Sequence, residues 1–263
     1  MLKYLSVKKD VPASDYWDQT LIDDLFKHVE GNIIVIPGAY QFDVVDEINK
    51  ELNKYPWCVV IVTSDEENKF PIDHLKHPKM KIYATYPNLK YKNVDRWLPI
   101  GYTKNTRKMI KFNDKNLDWF FSGQVNHEDR IECVRILRHI QNDKTVLSET
   151  DGFSKGLVPQ VYYDYMCHAK IIPAPRGNIS PDSFRLYEAL ECGSIPIPQD
   201  PMFWDMLFTS VPFPVIGKYE QLKGYIQDAL ESYDDFSNYV FAWWIRKKRE
   251  MVYDLEDDIK ELM

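Results

Sequence analysis

The segment NIIVIPGAYQFDVVDEINKELNKYPWCVVIVTSDEE, residues 32 to 67, decides the fold class. It opens on an unbroken apolar run, Ile33 to Ile36, that stops at the turn-forming pair Pro37 and Gly38. It closes on a second run, Trp57 to Val62, that passes into polar residues. Between the two, Val44, Val45, Ile48 and Leu52 recur at helical spacing. Strands alternating with helical patterns form a parallel sheet joined by crossover helices. MKIYAT, residues 80 to 85, reads as a third strand of the same sheet.

The pattern then restarts. DWFFSGQ (118 to 124) reads as a strand entering a glycine turn and RIECVRILRHI (130 to 140) as a helix. KIIPAPRG (170 to 177), DSFRLYEALEC (182 to 192) and SIPIPQD (194 to 200) follow as strand, helix and strand. The join is expected within RWLPIGYTKN (96 to 105), where Pro99 and Gly101 interrupt any period. The sequence therefore predicts an α/β chain of two Rossmann-like lobes facing across a cleft, with a compact N-terminal lobe. Residues 1–103 form the first lobe, 104–235 the second, and 236–263 a C-terminal helix bearing Tyr239, Phe241, Trp243 and Trp244 that packs back on the body.

With 44% hydrophobic and 28% charged residues in a chain of 263, the composition is that of a soluble globular protein. Cys58, Cys133, Cys167 and Cys192 lie far apart without a CxxC pair, which predicts buried free thiols and no metal site. The opening residues, MLKYLSVKKDVPASDYWDQ, are polar and broken, so neither a leader nor a membrane anchor is expected and the location is read as cytoplasmic. The net charge of -7 is unevenly spread: residues 74 to 115 carry nine lysines, two arginines and two acids, 11 - 2 = +9, leaving -7 - 9 = -16 for the remainder. Such asymmetry points to a partner.

The 182–192 helix carries the chemistry. Ser180 or Asp182 is expected to cap it, with Gly193 supplying a left-handed C-terminal residue. The unpaired N–H groups of its first turn favour an anion, to which Ser183 adds a hydroxyl and Arg185 a guanidinium fork. Glu188, one turn on, suits the two hydroxyls of a ribose. The same spacing also fits an exposed Arg185–Glu188 ion pair beside a capping serine. Arg176 and Gly177 end the preceding strand and Ser122 with Gly123 ends another, so three edge loops would offer glycine, hydroxyl and arginine together.

These residues, YDYMCHAKIIPAPRG and SFRLYEALECGSIPI, with FFSGQVNHEDR upstream, resemble the exostosin-type glycosyltransferases over roughly residues 118 to 200. The resemblance implies the two-lobed GT-B fold, a nucleotide-sugar donor, usually UDP-linked, held by the C-terminal lobe, and no required metal ion or other cofactor. It places Ser183 and Arg185 on the diphosphate and Glu188 on the ribose, with Gly123, Arg130 and Gly177 shaping the donor pocket, to which the edge loops add Ser122 and Arg176.

An inverting transfer needs a general base, and Asp65 and Asp43, each following a strand of the first lobe, are the candidates. Either equally suits helix capping or loop solvation. The basic stretch interleaves its cations with Tyr83, Tyr86, Tyr91, Trp97, Tyr102 and Phe112, a mixture that grips phosphates and stacks on bases. Lys90, Lys92, Arg96, Lys104, Arg107 and Lys108 would then bind the acceptor, a hydroxymethylated base in DNA. Two alternatives stand beside this: a glycosyltransferase acting on a glycan or small molecule, and a non-catalytic nucleotide-sugar or nucleic-acid binding module.

Overall fold

The computed structural model describes residues 2–104, 106–111, 114–152 and 155–263. Phe112, one aromatic residue of the basic stretch, lies outside them. The chain is a mixed α/β structure that divides into two compact units, Met1–Gly101 with Arg246–Met263, and Tyr102–Ile245.

In the first unit, five strands pair in parallel in the order β1 (Lys3–Tyr4), β2 (Ile33–Pro37), β3 (Cys58–Thr63), β4 (Met80–Ala84) and β5 (Arg96–Trp97). Every residue of β2 and β3 is buried, as a parallel sheet covered on both faces requires. The two-residue period assigns each side chain to a face. Ile33, Val35, Val59 and Ile61 meet Ile22 and Phe26 of α1 (Thr20–Phe26) on one side. Ile34, Ile36, Val60 and Val62 meet Ile48 and Leu52 of α2 (Val45–Leu52) on the other.

The second unit contains α3 (Thr106–Met109), β6 (Leu117–Gln124), α4 (Glu128–His139), β7 (Thr145–Thr150), α5 (Pro159–His168) and β8 (Ala169–Ala174). It continues through α6 (Phe184–Glu191), β9 (Ile195–Pro198), α7 (Pro201–Phe208) and α8 (Leu222–Glu231) into α9 (Tyr233–Leu262). Its four strands are parallel in the order β7-β6-β8-β9. The chain steps from β6 outward to β7, then returns to the other side of β6 and proceeds through β8 to β9. That reversal puts the topological switch point of the sheet between the carboxyl ends of β6 and β8, where the connections diverge.

The C-terminal helix differs from expectation. It begins at Tyr233 rather than at 236 and runs unbroken to Leu262 as α9, with its residues shared between the units after Ile245. Its apolar residues serve two separate cores: Leu255, Ile259 and Leu262 cover one face of the first sheet, while Trp243 packs edge-on against Phe208 and Phe213 in the second unit. No helix among the described residues is long and apolar enough to cross a membrane.

Part of the uneven charge is absorbed inside the first unit. Arg96 Nε lies 2.8 Å from Asp258 and its Nη1 3.2 Å from Asp254; Lys81 Nζ lies 2.9 Å from Glu261 and 3.5 Å from Asp258. Tyr83 donates its hydroxyl to the same Asp258 at 2.5 Å. The basic stretch thus meets the acidic end of α9. Burial would raise the pKa of Asp258, but Arg96, Tyr83 and Lys81 outweigh it and hold the carboxyl below its ordinary value. A carboxylate so depressed contributes stability above its unfolded pKa, near 3.9, that is lost as pH falls through the folded value. Asp258→Asn is expected to unfold at lower urea than the parent at pH 7, with the gap closing as the pH drops below about 4.

Candidate functional site

The carboxyl ends of β6 and β8 gather most of the residues expected to hold a donor. Arg185, in the first turn of α6, donates from Nη2 to the Ser122 carbonyl at 2.5 Å and lays its guanidinium 4.7 Å from the Phe121 ring centroid. Neither contact is with Glu188, so the exposed ion pair allowed by the spacing does not form. Gly123 is what permits this approach: a Cβ there would collide with Arg185 Nη2. Arg130 of α4 donates from Nε to the Arg176 carbonyl at 3.1 Å, and Arg176 Nη1 lies 3.6 Å from Asp129. Arg130 and Arg185 both act on the buried Cys133 thiol, which burial pushes up to about 12, and Arg130 and Arg176 both act on Tyr219. Three guanidinium groups therefore converge on one end of one sheet.

Several buried polar atoms here have no hydrogen-bond partner: Ser183 Oγ, Arg185 Nε, Arg176 Nε, His127 Nε2 and Tyr219 Oη. Buried polar groups are otherwise almost always satisfied. Ser183 is itself the N-cap of α6, in extended conformation with its hydroxyl uncommitted, in place of the expected Ser180 or Asp182. Ser180 instead accepts from the Asp182 N–H at 3.1 Å within the preceding turn. Gly193 follows the helix at φ 69°, the left-handed position anticipated for it.

Glu188 stands apart from this edge. It is 4% exposed, with Oε1 accepting from Thr103 at 2.6 Å and Tyr163 at 2.8 Å, and Oε2 accepting from Tyr162 at 2.9 Å. Its carboxylate is committed to a buried hydroxyl cluster formed with α5 and the start of the second unit. A shallow cavity of about 180 Å³ lies at the opposite, amino end of β6, beside Trp119, Ile140 and Lys223. Nothing there brings cations together.

The two proposed bases are placed differently. Asp65 accepts from the Lys69 and Phe70 N–H groups at 2.7 and 3.0 Å, tying its own loop, and burial raises its pKa. Asp43 is exposed and pairs with Lys8 at 2.5 Å, a bond that lowers its pKa. A third carboxyl escaped the sequence reading. Asp18, 3% exposed, accepts from the Ser64 N–H at 2.5 Å, the Ser64 hydroxyl at 2.7 Å and Thr85 at 3.4 Å, at the carboxyl ends of β3 and β4. Burial raises its pKa against those donors. Nearby, Tyr16 stacks on the exposed ring of Tyr40 at 5.6 Å, and Trp17 is 47% exposed.

Of the expected acceptor cations, Arg96 is engaged by α9, Lys90 donates to the Asn68 carbonyl and lies over the Tyr91 ring, and Arg107 lies 3.5 Å from Glu191. Lys92, Lys104 and Lys108 are exposed. Lys90, Lys92 and Arg96 belong to the first unit, Lys104, Arg107 and Lys108 to the second. The four cysteines are all buried and unbridged, and the described residues hold no cluster of metal-ligating side chains.

No protein-family model matches this chain, and no curated protein matches it.

Gly123→Ala tests the packing at β6. Because only the mobile end of Arg185 must move, its stability should change by no more than about 1–2 kcal/mol, while a crystal structure should show the guanidinium displaced from the Ser122 carbonyl. An unmoved Arg185 would contradict the role assigned to the glycine.

Proposed function

We propose that the chain is a glycosyltransferase of the GT-B type that takes a nucleotide-sugar, UDP-linked, in its second unit and transfers the sugar to a hydroxyl. The observation that carries this reading is the set of buried, unpartnered polar atoms beside three arginines at the β6–β8 reversal. A diphosphate supplies what those groups lack: acceptor oxygens for Ser183 Oγ and the guanidinium N–H groups, and negative charge for the amino end of α6. The likeness of the 118–200 segment to exostosin-type enzymes supports the same ligand, and the arrangement of two lobes across a cleft belongs to this proposal. Glu188 lies too deep among hydroxyl donors for direct ribose contact, so its part is to hold α6 against α5.

The acceptor is a neutral glycan or small molecule rather than DNA. Lys81 and Arg96, central to the basic stretch, are paired with acids of α9, and without them the charge argument for a polyanion weakens. Asp18, no more exposed than Glu188 and likewise occupied by Ser64 and Thr85, is taken on the same ground to tie together the ends of β3 and β4.

Incubation with labelled UDP-sugars and a panel of hydroxyl acceptors is expected to give transfer that changes little between 50 and 200 mM salt, whereas DNA as acceptor would lose orders of magnitude in binding over about that range. Donor binding without turnover would identify a non-catalytic module instead. Arg185→Ala is expected to weaken UDP binding by about 10- to 100-fold; unchanged affinity would remove the diphosphate from this site.

A further inference from the structure

His127 is part of the same cluster, yet nothing in the sequence singled it out. It caps α4 at the carboxyl end of β6, and its Nε2 is buried without a partner. The other ring nitrogen faces a carboxylate: Nδ1 lies 4.0 Å from Asp129 Oδ2. Nε2 is therefore the nitrogen left for a ligand. The groups facing the ring are Asp129 and Arg130 on α4 and Arg176 and Gly177 after β8.

Resting on the nucleotide-diphosphate reading of this edge, we propose that His127 is a phosphate-contacting residue that takes up one proton when the diphosphate binds. A neutral imidazole whose Nδ1 carries the hydrogen presents a lone pair at Nε2, which would repel a phosphate oxygen. A proton taken from solvent turns Nε2 into a cationic donor, and the new N–H bonds the phosphate oxygen; no other bond changes. In the free protein, burial and the charges of Arg130 and Arg176 hold His127 below its ordinary pKa despite Asp129, so the ring is neutral near pH 7. The negative charge of the diphosphate reverses that balance by offsetting both arginines. The requirement for a proton then makes donor affinity rise as the pH falls, by up to about tenfold per unit for one linked proton.

Calorimetric titration of the full chain with UDP in two buffers of different ionisation enthalpy counts the protons directly. Working between pH 7 and 9 keeps above the titration of the terminal phosphate itself, near 6. Uptake approaching one proton per UDP is expected in the parent, with affinity falling toward pH 9, and both effects should vanish in His127→Gln. Histidine NMR of the parent supplies a measurement independent of the variant's folding: the His127 resonance should move to its protonated position on saturation with UDP. Binding without proton uptake, or uptake that persists in His127→Gln, overturns the role of His127 and leaves the nucleotide site standing. Absence of any UDP binding overturns both.

Discussion

Bringing like charges together is costly, and the second unit does so at the carboxyl ends of β6 and β8. Arg130, Arg176 and Arg185 are held there by carbonyl oxygens of the strand ends and their loops, with Asp129 as a near counter-charge. Carbonyls orient a guanidinium without neutralising it. The field that remains suits a multiply charged anion, and the local architecture follows from keeping it in place. Gly123 leaves room for Arg185, Ser183 caps α6 without committing its hydroxyl, and the β7-β6-β8-β9 order sets the switch point at this edge.

The first unit handles charge in the opposite way. Its basic strands and the acidic α9 cancel each other around Asp258, which accepts from Arg96 and Tyr83 and lies near Lys81. A strongly asymmetric sequence is therefore partly a folded-in ion-pair network. Composition cannot distinguish this from a surface awaiting a polyanion, because pairing between residues so far apart in the chain is set by the tertiary fold.

What could be read in advance follows the same division. The buried strands β2, β3, β6 and β8 and the helices α2, α4 and α6 were legible because apolar residues repeat at a fixed period. β1 and β5 have two residues each, and β7, TVLSET, is largely polar, so no period marks them. At the site, glycine, serine and arginine at strand ends were visible as a cluster because topology brings consecutive carboxyl ends to one edge. Glu188 was assigned to that edge by helical spacing and by the family resemblance; the hydroxyls of Tyr162 and Tyr163 that claim it come from α5, whose arrival no local pattern announces. Asp18 and His127 lie in short polar runs that resemble any loop until neighbouring strands are set beside them.

The partition of α9 also orders events in time. Asp258 and its partner Tyr83 are 175 residues apart, and Leu255, Ile259 and Leu262 cover a sheet whose strands all precede residue 101. During synthesis those strands leave the ribosome with one face covered only in part, by α1, and the entire second unit follows before the rest of its cover arrives. The N-terminal sheet must wait, exposed to chaperones or to mispairing, while the later-made unit already holds everything its own core needs.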